Sequence, residues 1–327
     1  MRRREFVSLF AGAVAAWPLA ARAQQQSAMP VIGILSGLQP SSLHLEMAAL
    51  HQGLAETGFI NGENVAFEYR WAEHNYAQLP VFAADLVAHR VAVIAAAGNV
   101  AARAAQKATA TIPIAFHTGD DPIAVGLVSS LSKPSGNMTG VSAFAGELPS
   151  KRMDLLHRLV PTATVMGAIL NPDNATAKHD EATLKRAAGI MRLQLHILTA
   201  KDANDLEANF ETIAQKEIGA VIINTDASFF SRRDKIVSLA ARYKIPAIYS
   251  YREWASAGGL ISYGAVRTDS YRQAGIYIGQ ILKGERPADL PVLQPTKFEM
   301  VINLKTAKIL GLTIAPSLLT IADGVIE

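Results

Sequence analysis

The chain has 327 residues, half of them apolar, with 31 basic and 28 acidic side chains and no cysteine. Disulfides and thiol chemistry are therefore excluded, and the length is enough for two ordinary domains with sizeable cores. Four arginines and one glutamate fall within residues 1–23, so the rest of the chain carries 27 basic and 27 acidic groups and presents no electrostatic footprint for nucleic acid.

In chain order, the first segment reads as an address. Arg2, Arg3 and Arg4 precede an apolar run from Phe6 to Ala21 that Pro18 interrupts. A membrane span needs roughly 20 apolar residues, more than this run supplies. Ala21-Arg22-Ala23 forms a small-residue cleavage site before Gln24, which predicts an export signal cut after Ala23. Arg3-Arg4-Glu5-Phe6 fits a twin-arginine signal, and an uncleaved N-terminal anchor is the alternative. The absence of cysteine excludes a lipid-anchored lipoprotein, and no later segment is apolar enough to cross a membrane.

From residue 31 onward, short apolar runs alternate with amphipathic stretches. Strands are predicted at 31–35, 64–72, 91–98 and 112–116, with helices at 42–57, 76–90 and 99–110. A further helix is predicted after Pro122, with Asp121 as its N-cap. Residues 134–144 read as a turn-rich segment. The pattern then restarts, with strands at 165–170, 193–198, 220–223 and 245–250 and helices at 175–189, 204–216 and 231–243. The last third contains strands at 258–265 and 297–303 around a helix at 270–284. Strand–helix alternation predicts an α/β fold with parallel sheets covered by helices on both faces. The runs at 31 and 165 lie 134 residues apart, those at 92 and 220 lie 128 apart, and the Ile-Pro pairs at 112 and 245 lie 133 apart. Such near-constant offsets predict two Rossmann-like lobes of similar topology. The expected boundaries are 30–143 with 264–287 for lobe 1 and 144–263 with 288–327 for lobe 2.

Ligands of open α/β sheets bind beyond the carboxyl ends of the strands. The loops predicted there carry Ser36, Gly98 with Asn99, and Thr118 with Asp120 in lobe 1. In lobe 2 they carry Asn171, Asp226 and Tyr251. Helix N-termini in these loops suit a carboxylate, Asp120 or Asp226 suits an ammonium, and Tyr251 suits an aromatic wall. Each residue also has a plainer structural reading: Asn99 as a helix cap, Asn171 as a strand terminator, Phe229 and Phe230 as packing. His117 is the one histidine at a strand end. The eight histidines form no H-E-x-x-H, the first strand is not followed by G-x-G-x-x-G, and neither a G-x-S-x-G elbow nor a P-loop occurs. No catalytic residue, metal or cofactor is expected.

Three longer runs carry a resemblance: TGDDPIAVGLVSSLSKPSGNMTGVS, SFFSRRDKIVSLAARYKIPAIYSYREWASAGGLISYG and LPVLQPTKFEMVINLKTAKILGL. They are similar to ABC-transporter substrate-binding proteins of the tryptophan/tyrosine-binding-protein-like group, and the resemblance spans residues 29–327. It implies the type I periplasmic-binding fold, with two lobes that close on a small solute by hinge motion. It also implies ligand contacts from Ser36, Gly98, Asn99, Thr118 and Asp120 on one side and Asn171, Asp226 and Tyr251 on the other. This chain carries Ala97-Gly98-Asn99 where many members have a Thr- or Ser-containing turn. The expected role is a monomeric periplasmic component of an importer, capturing a small solute (an amino acid, or an aromatic or carboxylate compound) for a permease in the inner membrane. An exported ligand sensor for a receptor kinase is the alternative, followed by an exported hydrolase on the same scaffold.

Overall fold

A computed structural model describes residues 29–143, 146–174 and 176–327; the predicted export signal lies outside these residues. The first sheet has five parallel strands in the order β2-β1-β3-β4-β5. They are β1 (Val31–Ser36), β2 (Ala66–Trp71), β3 (Val93–Ala97), β4 (Ile114–Thr118) and β5 (Met138–Ser142). The second sheet has seven strands in the order β12-β11-β10-β9-β8-β6-β7. They are β6 (Val165–Leu170), β7 (Gln194–Thr199), β8 (Ala220–Ile223), β9 (Ala247–Tyr249), β10 (Ile261–Ala265), β11 (Phe298–Asn303) and β12 (Gly324–Ile326). Only the β10–β11 pair is antiparallel. The order β2-β1-β3-β4-β5 is repeated as β7-β6-β8-β9-β10, which is the internal repeat the sequence offsets predict.

The strands read as continuous apolar runs because helices cover both faces. Successive residues point to opposite layers. Ile32 and Ile34 join Leu50, Leu54, Tyr271 and Ile278, while Leu35 joins Leu79, Leu86 and Ala105 on the other face. In the second sheet Met166 and Ala168 face Leu156 and Leu184, and Ile169 faces Phe210 and Ile236.

Helices His44–Glu56 and Arg267–Leu282 cross with almost no space between their backbones. A Cβ on Gly275 would lie 2.1 Å from the Leu50 carbonyl oxygen, and one on Gly53 would lie 1.9 Å from that of Arg272. Gly275→Ala should therefore destabilise the protein by about 2 kcal/mol, the overpacking cost outweighing the roughly 1 kcal/mol gain in helix propensity. Urea denaturation tests this, and a stabilised variant would contradict it.

Three expectations are corrected. No helix follows Pro122: the Asp121 carboxylate accepts from the amides of Ile123 and Ala124 at 2.9 and 3.4 Å and closes a single turn. Gly126, with φ of 72°, then redirects the chain so that Leu127 and Val128 enter the core. The turn-rich stretch contains β5, whose Gly140 is required because a Cβ there would lie 2.0 Å from the Phe116 carbonyl of the neighbouring strand. The boundary at 288 also moves. Leu290 and Val292 are buried with the first sheet, and Leu293 exchanges hydrogen bonds with Gly140 and Ser142 at 3.0 and 2.9 Å. This short apolar segment covers the edge of β5, whose backbone groups would otherwise be unpaired. The chain thus passes between the sheets after Ser142, again after Ala265, and a third time between Leu293 and Phe298.

Candidate binding cleft

The carboxyl ends of β1, β3 and β4 face those of β8 and β9 across a cleft of about 730 Å³, counted out into open solvent. It opens outward into a larger chamber of about 1220 Å³. Parallel strands place all their C-terminal loops at one sheet end, and the repeat brings the two ends together.

On the first wall, Gly98 takes φ of 99° and turns the chain from β3 directly into helix Asn99–Ala108. Gly98 therefore stands at the cap position that the sequence assigned to Asn99, and Asn99 is the first helical residue. Ala102 is the first residue to bond back into this helix, to Gly98 at 2.9 Å. The amides of Asn99, Val100 and Ala101 consequently have no intrahelical partner and stand at the positive end of the dipole. All three residues line the cavity. Asn99 turns its side-chain amide to the Asp120 carboxylate. Burial and the nearby charge of Asp226 push the Asp120 carboxyl up to about 6.

On the opposite wall, Asp226 caps the short helix Ala227–Ser231, accepting from the amides of Ser228 and Phe229 at 2.8 and 3.2 Å. Its second oxygen accepts from the side-chain amides of Asn171 and Asn174 at 3.2 and 3.0 Å. Behind this wall lies Arg152, buried, bonding Thr225 Oγ1 at 2.9 Å and the Tyr263 carbonyl at 2.8 Å. Burial lowers its guanidinium to about 10.

The inner end is aromatic. Phe230, Tyr251, Tyr271 and His117 line it together with Arg267. The Arg267 guanidinium carbon lies 4.4 Å from the Phe230 ring centre and 5.4 Å from that of Tyr251. Arg267 is also paired with Glu46 at 3.1 Å and Glu253 at 3.3 Å. His117 packs on Tyr271 with ring centres 4.3 Å apart, and burial together with the charge of Arg267 lowers its pKa to about 3. It is a neutral imidazole throughout the physiological range.

Among the residues singled out from sequence, Gly98, Asn99, Asp120, Asp226 and Tyr251 line the cavity, and Asn171 lines the outer chamber. Ser36 and Thr118 do not line either. Both hydroxyls are fully buried and turned back on their own loops, accepting from the amides of Leu38 at 3.1 Å and Asp120 at 3.0 Å. The two hydroxyls expected to face the cleft instead shape the loops that bear cavity-lining residues. Sequence reading missed Tyr76, Arg267 and Tyr271, and took Phe230 as packing. Local sequence carried no signal for Arg267, because its burial depends on the distant Glu46 and on Glu253. Among the described residues, no group of three or more His, Asp or Glu side chains is placed to hold a metal ion. No described helix is long and apolar enough to cross a membrane.

The cavity therefore combines unpaired amides for an anion, two carboxylates for a cation and a largely apolar aromatic end, a combination suited to a small zwitterion with a ring-bearing side chain. A family model described as ABC transporter substrate binding protein matches residues 31–326. The chain is 26% identical over 281 residues to the tyrosine-binding protein of Clostridioides difficile strain R20291, covering 86% of this chain and 81% of that protein. Its structure resembles that of an ABC domain from Streptococcus pneumonia in complex with L-Trp, with a TM-score of 0.83, 28% identity, and coverage of 91% of this chain and 100% of the other. A conserved domain protein from Vibrio cholerae is equally similar in structure, with a TM-score of 0.83, 26% identity, and coverage of 91% and 99%.

Proposed function

The chain belongs to the ABC transporter substrate-binding protein family, and from that premise we propose that it captures an aromatic amino acid in the periplasm and delivers it to an inner-membrane permease. The observation that carries this reading is the placement of three complementary features around one cavity. The helix start at Asn99, Val100 and Ala101 receives the solute carboxylate. Asp120 and Asp226 receive its ammonium. Phe230, Tyr251 and Tyr271 enclose its ring, with Arg267 behind them. The tyrosine named in one relative and the L-Trp bound in another agree with this division of labour.

In this reading the two halves hinge at the three crossings and close on the solute. The solute stabilises the closed form only through contacts made to both halves at once, and the permease recognises that form. Export by the N-terminal signal places the protein where such solutes arrive, and it acts as a monomer. No group in the cleft is assigned a chemical step.

Thermal-shift and calorimetric titration with L-tryptophan, L-tyrosine and L-phenylalanine test the reading, with their N-acetyl and amide derivatives as controls. A free amino acid at 100 times its dissociation constant stabilises the folded chain by about 2.7 kcal/mol, which corresponds to a rise in Tm of roughly 5 °C. The N-acetyl and amide forms, which lack one charge each, should give no shift. Equal shifts with the blocked derivatives, or turnover of the amino acid, would contradict the reading.

A further inference from the structure

We propose that Asp120 and Asp226, presented from opposite sheets into one cavity, form a proton-linked interlock that opposes closure of the empty protein. The proposal rests on the reading of the cleft as a solute site that closes, and it concerns how that site is regulated.

The carboxylates stand on C-terminal loops of the two halves, Asp120 after β4 and Asp226 after β8, and both line the inner cavity and the outer chamber. Arg267 shares the inner cavity with Asp120 but is taken up by Glu46 and Glu253; the other groups around Asp120 there are anionic or neutral. From helix Asn99–Ala108 comes the Asn99 amide. From the opposite half come Asn174, the charge of Asp226 and, further back, that of Asp180. The Tyr251 hydroxyl is also near. Asp173, Arg103 and Lys107 line the outer chamber, where the two basic side chains are exposed to solvent. Tyr76, which lines both spaces, feels the charges of Asp226 and Arg232. Bringing the halves together without a solute therefore sets two carboxylates facing each other in a partly desolvated space, which disfavours having both ionised.

The cost is removed in one of two ways: an ammonium enters between them, or one carboxyl takes up a proton. Asp120 is the acceptor, since burial and Asp226 hold it at about 6 with the halves together. Parting the halves returns Asp120 to water and removes the charge of Asp226, which outweighs the loss of the Asn174 hydrogen bond and brings the carboxyl toward the ordinary value of about 3.9. The sign follows. The closed form binds this proton more tightly, so acid favours closure, and the effect is lost as pH rises through about 6. Between pH 7.5 and 5 the closed-to-open ratio of the empty protein should rise about tenfold. At neutral pH the empty protein is thus biased toward the open form, and a permease that recognises the closed form meets mainly loaded protein.

The test uses the full chain freed of solute by unfolding and refolding, with distance labels on the two halves read by energy transfer. The expected result is an approximately tenfold rise in the closed-to-open ratio from pH 7.5 to 5, of which only about a twofold rise is reached by pH 6. Asp120→Asn should raise the ratio at pH 7.5 and flatten the response. Asp226→Asn, which keeps the helix cap, should also raise it at pH 7.5 and move the midpoint to lower pH. A flat wild-type profile, opening at low pH, or an unchanged response in Asp120→Asn would overturn the proposal. No solute is present, so failure to bind an amino acid leaves this measurement readable, and failure here leaves the binding titrations untouched.

Discussion

Replacing Asp226 with alanine is expected to cost both binding and stability, whereas Asp226→Asn is expected to cost as much binding and less stability. The side chain has two roles on separate oxygens. One oxygen caps helix Ala227–Ser231 through the amides of Ser228 and Phe229; the other holds Asn171 and Asn174. Truncation removes the cap, worth about 1 kcal/mol, and leaves two amide donors without their acceptor. It also removes a carboxylate from the ammonium position. Loss of one partner of a desolvated charge pair costs about 2–5 kcal/mol, so affinity should fall by roughly 30-fold to several thousand-fold. Asparagine caps a helix about as well as aspartate but has no second oxygen for the Asn171 and Asn174 amides, so it should lose less stability than alanine while still losing the charge. Calorimetric titration beside urea denaturation separates the two effects. If Asp226→Asn bound solute as wild type does, the ammonium assignment would be lost.

The largest stability effect is expected at Arg267. Its guanidinium is 7% exposed and joins Glu46, 3% exposed, to Glu253 on the opposite half. It also lies against the faces of Phe230 and Tyr251. Arg267→Met keeps most of the volume but strands Glu46 in the interior beside a second carboxylate. Breaking a buried pair in this way costs about 3–5 kcal/mol, and urea denaturation at pH 7.5 should read that loss. Adding Glu46→Gln removes the stranded charge and should restore much of it, as the double-mutant cycle would show. Burial already holds the Glu46 carboxyl above its ordinary range, with Glu253 adding to the shift. Without Arg267 the shift is larger, so the single variant should regain stability as pH falls through the raised pKa. A loss below 1 kcal/mol, or no recovery in the double variant, would show that the triad is solvated and not the buried link described.

Arg267 also marks where sequence reading stops. The stretch from Ile261 to Leu282 was legible as strand followed by helix from its apolar spacing. Nothing local says that the arginine between them turns into the cleft, because its carboxylate partners lie on helix His44–Glu56 and on helix Arg252–Ser256. The same holds for Ser36 and Thr118. Both sit at strand ends where a solute contact was expected, yet each hydroxyl satisfies an amide two residues further on. Whether such a hydroxyl faces a cavity or its own loop depends on the φ/ψ of the turn, which composition does not reveal.

What the sequence by itself determined is the repeated α/β framework. Apolar runs of strand length alternate with helical periodicity, and three offsets of 128–134 residues align β1 with β6, β3 with β8 and β4 with β9. These signals are local, set by the side-chain periods of strand and helix, and they survive in a single chain. Tertiary structure alone decided that Met138–Ser142 is a strand, since its glycine is demanded by the backbone of β4. It also decided that residues 290–293 stay with the first sheet and that Tyr76, Phe230, Arg267 and Tyr271 complete the cleft. Each of these depends on a partner more than 20 residues away in sequence, brought near only when two sheet ends meet.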